Sequence, residues 1–523
     1  MNRKNIISII IIVLALGLVY FVLSKDNVNQ LSKTNTENLA RVNATQTIEL
    51  KDGDTFNLTA SIVKNNIAGK EVKMLAYNGS IPGPVIKVAK NSEIIINFTN
   101  NIDIPSTIHS HGIRLENKFD GVPNLTQKEV GIGKSFTYKI KFDDEGIFWY
   151  HPHLREDYAQ ELGLYGNYIV TSDDQNYFSP VNGEMPLTID DILMTENGIA
   201  RFTPIPDHTL MGRFGNLFLV NGSENFSLEV LSGEVVRFYI TNTANTRVFN
   251  LSIPRAKIKL VGGDNGKYEK ETFVESVLLG PSERAIIEVL FDKSGKYTLE
   301  HITPNRTYKI GEFNVSTKII EKSFKSQFLT LRTNTDTKKS IDPYREYFDT
   351  RVDKNITLSV EMKGMMQGGM HMMPDGTMMT NSGMMIGEND SEKIEWEDNM
   401  AMMNSMSNID TVKWKIIDTD TKKENEKIDW KFKVGDKVKI KIFNDPKSVH
   451  PMQHPIHFHG QRFLILTTNG IKNENLVWKD TTLIQKGDTV EILLDISNPG
   501  VWMAHCHIPE HMESGMMFNF EVQ

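Results

Sequence analysis

Cysteine is the scarcest residue in this chain of 523 residues, because Cys506 is the only one. A single cysteine excludes an intramolecular disulfide, so disulfides give no information about the redox compartment. A lone cysteine is most often a small buried apolar residue. Cys506 has unusual neighbours, however: the stretch HCHIPEHMESGMM at 505–517 surrounds it with three histidines and several methionines.

Clustered positive charge is also lacking. The chain has 58 Lys and Arg residues against 66 Asp and Glu residues, which gives a net charge of −8. Phosphate binding needs concentrated Lys and Arg, so we expect no nucleic-acid partner. The composition, with 39% hydrophobic and 24% charged residues, is that of a globular protein, and the length suggests about three domains of roughly 150 residues.

Long hydrophobic runs are scarce, and the one of membrane-spanning length is residues 6–23. It follows Arg3 and Lys4, exceeds the usual signal-peptide core of about 7–15 residues, and precedes no small-x-small cleavage site. We predict that residues 1–24 form an uncleaved membrane anchor. A cleaved signal segment is the second alternative, and a buried helix the third.

The positive flank of this segment is expected to stay in the cytoplasm. That orientation places the body of the protein outside the cytoplasm, in the periplasm or at the cell surface. Residues 25–45 are polar and rich in Asn and Thr, which predicts a flexible linker.

Short alternating runs of Val, Ile, Phe and Lys, separated by Gly, Asn and Asp, dominate the rest of the chain and predict an all-β fold. One pattern of strand, tight turn and second strand occurs three times. It reads VIKVAKNSEIIINFTN from Val85, LEVLSGEVVRFYITN from Leu228 and FKVGDKVKIKIFN from Phe432.

A second pattern closes each copy. It reads DEGIFWYHPH ending at His153, DKSGKYTLEH ending at His301 and SNPGVWMAHCH ending at His507. The long spacing between copies excludes a solenoid and predicts three tandem β-sandwich domains. The predicted domains are residues 46–173, 184–320 and 345–523.

Ten of the 14 histidines lie in four short strings, at residues 109–111, 151–153, 454–459 and 505–511. Two strings belong to the first copy and two to the third. The sequence His-x-His in a strand places both imidazoles on one face. We therefore expect the strings to converge where domains one and three meet.

The second copy lacks these strings. It has FNLSI where the first copy has HSH, and keeps only His301 of the second pattern. We predict that domain two binds no metal. His208 and His301 are interpreted as ordinary hydrogen-bonded histidines.

The ligand types indicate the metal. Imidazole suits Cu, Zn, Fe and Ni, whereas a thiolate with two histidines and a distant methionine is the blue-copper set. Zinc would use the imidazoles but would explain neither the single cysteine nor the methionine.

The four strings, in this order, resemble the four copper motifs of the three-domain multicopper oxidases. The resemblance extends over most of the chain from about residue 45 and includes NGSIPGPVI at 78–86. It implies three cupredoxin-like Greek-key domains and four copper ions: one type 1, one type 2 and a type 3 pair. The implied type 1 ligands are His454, Cys506 and His511, with Met516 in the weak axial position. The implied type 2 ligands are His109 and His457. The implied type 3 ligands are His111, His151, His153, His459, His505 and His507.

The same resemblance implies the reaction. A reductant would give electrons singly to the type 1 copper, and Cys506 would carry them to the cluster, where O2 is reduced to water. Asp120, in FDGVP, matches the acid that supplies protons near the type 2 copper; a plain turn residue is the alternative. A second acid is expected directly after His511, but Met512 stands there, so Glu510 or Glu513 is the predicted substitute.

Methionine is abundant in one place: residues 362–406 contain 14 of the 24 methionines. This segment is either a disordered insertion or a thioether surface that gathers Cu(I). Its position resembles the methionine-rich insert of cuprous oxidases that act in copper tolerance. Met452 matches a substrate-copper methionine of those enzymes, although His450 replaces the expected acid. Further candidate ligands for substrate copper are Met370, Met372, Met373 and Asp375, with Asp390 as another replacement acid.

The resulting hypothesis is a monomeric oxidase that uses O2 to oxidise Cu(I). The alternatives are a laccase-like oxidase of phenols or other organic reductants, an Fe(II) or Mn(II) oxidase, and a copper-storage protein.

Overall fold

The computed structural model describes residues 36–362, 370–372, 378–380, 385–386 and 392–523. The predicted anchor at 1–24, together with Met373, Asp375 and Asp390, lies outside the described residues. Met370 and Met372 are the first and last residues of a short strand. Within the described ranges, no helix is both long enough and apolar enough to cross a membrane.

The first sandwich packs a five-stranded sheet against a four-stranded sheet. Its strands are β1 (Thr47–Glu49), β2 (Thr55–Ile67), β3 (Lys70–Tyr77), β4 (Val85–Ala89), β5 (Glu93–Asn101), β6 (His109–His111), β7 (Lys134–Lys141), β8 (Gly146–His151) and β9 (Gly166–Thr171). The sheet orders are β1-β4-β9-β8-β6 and β3-β2-β5-β7.

The second sandwich pairs a six-stranded sheet with a five-stranded sheet. Its strands are β10 (Gly183–Ile192), β11 (Met194–Thr195), β12 (Gly198–Ile199), β13 (Leu217–Val220), β14 (Ser227–Ser232), β15 (Glu234–Asn242), β16 (Phe249–Ser252), β17 (Lys257–Gly263), β18 (Gly266–Val274), β19 (Val277–Leu279), β20 (Arg284–Phe291), β21 (Gly295–Ile302) and β22 (Thr307–Ile319). The orders are β13-β10-β15-β20-β17-β18 and β14-β22-β21-β16-β19.

The third sandwich has the same two-sheet plan. Its strands are β23 (Lys354–Met362), β24 (Met370–Met372), β25 (Met378–Thr380), β26 (Met385–Ile386), β27 (Val412–Asp418), β28 (Trp430–Phe432), β29 (Lys437–Asn444), β30 (His454–Phe458), β31 (Arg462–Thr468), β32 (Ile471–Lys472), β33 (Thr481–Ile484), β34 (Thr489–Asp495), β35 (Gly500–Cys506) and β36 (Met517–Val522). The orders are β27-β23-β29-β34-β31-β32 and β28-β36-β35-β30-β33. Strands β24, β25 and β26 form a separate three-stranded sheet, and β11 and β12 of the second sandwich form a separate two-stranded sheet.

Helices are short and lie between strands. They are α1 (Glu156–Ala159), α2 (Lys325–Leu329), α3 (Thr335–Ile341), α4 (Ala401–Met406) and α5 (Pro509–Glu513), with 3₁₀ turns at Asn117–Phe119, Asp342–Asp349 and Asn425–Lys427. The all-β prediction is confirmed.

The alternation of side chains explains the strands. In β5 and β36, every second residue is buried while its neighbours are partly exposed, as expected when one face of a strand packs on a core. Each sandwich has its own apolar core between its two sheets.

The three sandwiches repeat one topology. Parallel pairs β2 with β5, β10 with β15 and β23 with β29 occupy equivalent places in the three sandwiches. In the opposite sheet, the antiparallel pairs β6 with β8, β16 with β21 and β30 with β35 are also equivalent. The histidine strings lie on these last pairs in the first and third sandwiches. Strand β16, in the second, carries Phe249–Ser252 in their place.

Candidate metal centres

The type 1 ligands predicted from the sequence converge within the third sandwich. The Cys506 Sγ lies 3.6 Å from the Nδ1 of His454 and 3.9 Å from the Nδ1 of His511, and the two Nδ1 atoms are 3.4 Å apart. All three side chains are buried. Metal bonds of about 2.0 Å to nitrogen and about 2.3 Å to sulfur give ligand separations of this size.

The backbone ties Met516 to this triad. The Cys506 N–H donates to the Met516 carbonyl, and the Met516 N–H donates to the His511 carbonyl, both at 3.0 Å. Met516 is fully buried. Burial raises the pKa of the Cys506 thiol, so a bound cation is what would hold this sulfur as a thiolate.

Period-two alternation makes β35 serve two centres. Cys506 packs with the apolar core of the third sandwich, whereas its neighbours His505 and His507 belong to the histidine groups on the other side. Strand β30 alternates in the same way: His454 is on the Cys506 side, and His457 is on the other. Adjacent strands thus carry the two centres on opposite faces.

The other eight of the ten predicted histidine ligands form one buried cluster between the first and third sandwiches. Their ligand atoms fall into close groups, each with mutual separations within 4.8 Å. The groups are His109, His111 and His457; His111, His151 and His507; and His153, His459 and His505. All eight residues come from the sequence-predicted type 2 and type 3 set. Each of the last two groups contains three of the six predicted type 3 residues.

Hydrogen bonds fix which nitrogen of several imidazoles faces the cluster centre. The Nδ1–H of His109, His151, His457 and His505 donates to the backbone carbonyl of Asp120, Pro152, Asp480 and Cys506, respectively, at 2.7–2.9 Å. A carbonyl can only accept, so Nδ1 carries the proton and Nε2 presents a lone pair. The buried Nε2 atoms of the first three of these residues have no partner among the described residues.

One contact is of the kind that a bound cation would stabilise. The Nε2 atoms of His459 and His505 are 3.0 Å apart. His459 Nδ1–H donates to the Asp120 carboxylate at 2.9 Å, and His505 Nδ1–H donates to a carbonyl, so both Nε2 atoms present lone pairs to each other. A shared positive ion between them removes this repulsion, as in the metal, histidine and carboxylate arrangement of metalloproteins.

Burial and neighbouring histidines keep the ring nitrogens available. They lower the pKa of His111, His151, His153, His457 and His505 well below the ordinary value. The imidazoles are therefore neutral near pH 7, which is the form that binds metal. The residues present fit the four copper sites in donor type, number and grouping.

Asp120 lies against the cluster. Its Oδ1 is 3.3 Å from the Nδ1 of His109, and its other oxygen accepts from His459. Although burial alone would raise the pKa of this carboxyl, the two histidines lower it below its usual value. Asp120 is therefore a carboxylate that orients two histidines, and it stands where the sequence predicted a proton-supplying acid.

Two residues that the sequence did not single out join all three sandwiches at the cluster. Asp480 Oδ1 lies 3.0 Å from the Nε2 of His111 in the first sandwich, and the Asp480 carbonyl accepts from His457 in the third. Arg284, from the second sandwich, holds the Asp480 carboxylate with both terminal nitrogens, one at 2.6 Å. The Arg284 Nε–H also donates to the Ile147 carbonyl of the first sandwich at 3.1 Å.

The close packing of this clasp depends on Gly112. Its φ is +82°, a left-handed conformation that favours glycine. A Cβ here would lie 2.3 Å from Asp480 Oδ2 and 2.9 Å from Arg284 Nη2. Glycine after His111 thus lets the ion pair approach the cluster.

The acids near the C-terminal motif occupy different places. Glu156 reaches the cluster: its Oε1 lies 3.3 Å from the Nδ1 of His153, although no motif in the sequence pointed to it. Glu510 is fully buried, and both its oxygens have no hydrogen-bond partner within the described part of the chain. Burial raises the pKa of Glu510 to about 8 and that of Glu513 to about 7. The role of Glu510 as second relay acid stays a prediction.

The second sandwich carries an isolated histidine at the equivalent place. His301 is buried, accepts the Asn250 N–H on Nδ1 at 3.2 Å and stacks on Tyr308. His208 pairs with Asp207 at 2.7 Å. Among the described residues, no metal-compatible group includes a residue of the second sandwich.

Comparisons with known proteins agree with this geometry. Three sequence signatures described as multicopper oxidase match residues 59–175, 184–319 and 395–523. The chain belongs to the multicopper oxidase family, and its fold is the cupredoxin-like fold of that family.

Individual relatives span most of the chain. The multicopper oxidase Mco of Staphylococcus aureus is 26% identical over 86% of this chain and 83% of its own length. Laccase-1 of Botryotinia fuckeliana is 26% identical over 85% of this chain and 78% of its own. The solved structure of the multicopper oxidase McoA from Aquifex aeolicus has a TM-score of 0.67 and 25% identity, covering 93% of this chain and 99% of McoA.

Family membership makes the protein an oxidoreductase that uses O2 and a reductant. Members bind four copper ions. When bound here, these ions supply one-electron oxidation of the reductant and four-electron reduction of O2. The chain's own residues hold the ligands neutral and oriented, exclude bulk water by burial, and place the Asp120 carboxylate beside the histidines.

Proposed function

We propose that this oxidase acts on Cu(I) outside the cytoplasm and thereby limits copper toxicity. The observation that carries the proposal is a set of methionines in the apolar core that also contains Cys506. Met211, Met403, Met452 and Met516 are buried in the same apolar core cluster as Cys506. Thioether sulfur is a soft ligand that selects Cu(I) over harder ions.

Met452 is favourably placed for such a role. It precedes the type 1 ligand His454 by two residues and is fully buried. The Asn444 side chain donates to the Met452 carbonyl at 2.7 Å. This bond holds the backbone just before the start of strand β30. The methionine-rich segment belongs to the same predicted domain in the sequence and supports the same substrate.

Steady-state kinetics test the substrate directly. O2 uptake is measured with Cu(I), Fe(II) and a phenol as sole reductants of the copper-loaded protein. We expect kcat/KM to be highest for Cu(I). A higher value for the phenol would instead favour a laccase-like function, which the similarity to Laccase-1 makes the second candidate.

A shortened chain tests the methionine-rich segment. Residues 363–391 are replaced by a Gly-Ser linker, which preserves β23 and α4; α4 must stay because Asn404 hydrogen-bonds Met211 and Gly212. We expect a higher KM for Cu(I) with phenol oxidation maintained. A variant that keeps the length but replaces these methionines by leucine is the matched control for a pure covering effect. If the KM for Cu(I) changed in the shortened chain but not in the leucine variant, the segment would act by covering the site and not by binding Cu(I).

Localisation is proposed from the sequence alone. The apolar segment 6–23, behind Arg3 and Lys4, supports a membrane anchor with the sandwiches outside the cytoplasm. Membrane fractionation after alkaline washing, with protease applied to intact cells, tests this. Release of the protein by the wash would indicate that the segment is not an anchor.

A further inference from the structure

One short turn of the second sandwich contacts both of the other sandwiches. Asp264 and Asn265 form this turn, which connects β17 with β18. The Asn265 N–H donates to the Trp478 carbonyl of the third sandwich at 3.1 Å. Gly146, in the first sandwich, packs so closely on the turn that a Cβ there would lie 2.9 Å from the Asp264 carbonyl oxygen. The turn is therefore held in place from two directions.

The side chain of Asp264 contacts two cations. Its Oδ1 accepts the Arg284 N–H at 2.8 Å and lies 3.7 Å from the Nη1 of the same arginine. Its Oδ2 lies 3.0 Å from the Lys479 Nζ. All three residues are buried. Because Arg284 belongs to the second sandwich and Lys479 to the third, one carboxylate joins cationic side chains of two sandwiches.

These residues are part of two crossed ion pairs. Glu283 precedes Arg284 in the second sandwich, and its Oε1 lies 3.3 Å from the Lys479 Nζ. Lys479 precedes Asp480 in the third sandwich, and Asp480 pairs with Arg284. Burial alone would lower the pKa of the Lys479 ammonium, but Asp264 and Glu283 raise it above its ordinary value. Lys479 therefore keeps its charge between these two acids.

The segment that Lys479 begins touches two predicted copper ligands. The Asp480 carbonyl accepts the Nδ1–H of His457 at 2.8 Å. Thr481 Oγ lies 3.0 Å from the Nε2 of His111 and 3.2 Å from the Nδ1 of His457. The two imidazoles stack with their centroids 3.7 Å apart. A shift of this segment would therefore move one implied type 2 ligand and one implied type 3 ligand together.

We infer that Asp264 is a positioning residue for the copper cluster. It acts through Lys479 and Arg284 on residues 480 and 481, which hold the two stacked ligands. Among its described partners there is no copper ligand, so its effect is indirect. The inference concerns the cluster and does not depend on which reductant the oxidase uses.

Asp264→Asn tests the inference with little change in side-chain volume. The Oδ1 still accepts the Arg284 N–H, so the new amide NH2 must lie against the Lys479 ammonium. Both groups only donate hydrogen bonds, so Lys479 should move and displace Asp480. We expect the type 2 copper of the copper-loaded full chain to bind about tenfold more weakly, as when a group behind a metal ligand is lost. Chelator competition measures this affinity. Electron paramagnetic resonance should show an altered type 2 signal, and the blue absorption should be retained.

Lys479→Gln tests the route. In the double variant with Asp264→Asn, the new glutamine carbonyl can accept from the new asparagine amide, and its NH2 can donate to Glu283. We expect the double variant to regain most of the type 2 copper affinity that Asp264→Asn loses. Such non-additivity indicates that the two residues act through their contact, because a general loss of stability would instead accumulate.

Glu271→Gln is the matched control. Glu271 is another buried carboxylate of the second sandwich and lies 3.2 Å from the buried Lys259 Nζ, which also pairs with Glu288 at 2.9 Å. The substitution therefore disturbs a buried lysine between two acids, as Asp264→Asn does. Within the described part of the chain, none of these three residues belongs to a metal-compatible group. We expect a similar fall in the midpoint of thermal unfolding, with unchanged copper affinity and an unchanged type 2 signal.

Three results would overturn the inference. The first is wild-type affinity for type 2 copper in Asp264→Asn. The second is an equal loss of copper in Asp264→Asn and Glu271→Gln, which would indicate general destabilisation. The third is an additive loss in the double variant, which would exclude Lys479 as the route. If Asp264→Asn does not fold, Lys479→Gln alone decides, because it removes the charge that Asp264 holds: a changed type 2 signal would support the inference, and an unchanged one would overturn it.

Discussion

The two candidate metal centres share strands β30 and β35 but differ in how many sandwiches build them. His454, Cys506 and His511 all come from the third sandwich. The cluster takes histidines from the first and third sandwiches, and the second sandwich contributes Arg284 through Asp480. The first centre is a property of one domain, whereas the cluster is a property of the assembled chain.

This difference teaches why a sandwich without metal ligands is part of the enzyme. Arg284 is fully buried and neutralises Asp480, a carboxylate in contact with His111. A buried ion pair contributes little net stability but costs much when one partner is lost. The second sandwich therefore supports the cluster through the charge of Arg284, and among the described residues it adds no member to the metal-compatible groups.

The largest effect should come from Cys506→Ser. Serine does not replace a soft thiolate, so we expect the blue absorption and O2 uptake with every external reductant to disappear. The cluster coppers should remain, because none of their ligands changes. Copper analysis and electron paramagnetic resonance measure this. Met503→Leu, on the same strand, is the control expected to keep turnover. Loss of all copper in Cys506→Ser would show that the two centres are not separable.

Arg284→Met should affect the cluster and spare the type 1 centre. Removing one partner of a buried pair costs about 3–5 kcal/mol and leaves the Asp480 carboxylate unpaired. The Asp480 carbonyl positions His457, an implied type 2 ligand. We expect loss of type 2 copper with retained blue absorption, measured by electron paramagnetic resonance and by the visible spectrum. The free energy of unfolding measures the cost in stability.

Arg237→Met provides a matched control for that experiment. Arg237 is also a buried arginine of the second sandwich, paired with Glu288 at 2.7 Å, but it contacts no cluster residue among its described partners. A similar loss of stability without loss of type 2 copper is expected. Equal copper loss in both variants would mean that general destabilisation, and not the clasp, explains Arg284→Met.

The smallest effect should come from Trp414→Phe, which acts only on the type 1 side. The Trp414 ring stacks on His511 with centroids 4.1 Å apart, and its Nε1–H donates to the Thr209 carbonyl at 2.7 Å. Phenylalanine retains a ring over His511 but loses this hydrogen bond, so the free energy of unfolding should fall by about 1 kcal/mol. The blue absorption should shift while the cluster resonance stays unchanged. Trp430→Phe, which loses the bond to Asp418, should cost similar stability without that shift. A changed cluster resonance in Trp414→Phe would contradict the separation of the centres.

The convergence of the ten histidines and Cys506 was predictable from sequence because they occur in short strings whose spacing follows the strand period. His109 and His111, or His505 and His507, need only a β-strand to share a face. The second copy lacks such strings, and its lack of copper stays a prediction.

Other residues of the site depend on strand register and domain packing, which local patterns do not reveal. Asp480 approaches the cluster because β33 pairs with β30, placing Thr481 opposite His457. Arg284 and Met211 reach their partners across domain interfaces. Glu156 follows the HPH string at the start of α1. An acid in the first turn of a helix is ordinary, so the sequence alone does not mark it as part of a site.

The position of residues 505–511 along the chain has a consequence for maturation. Synthesis proceeds from the amino terminus, so His109 and His111 exist long before His505, Cys506 and His507. Neither centre has its full set of ligands until this one stretch has been made and has paired as β35 with β30. The complete ligand set of either centre therefore exists only after this stretch has been synthesised and paired.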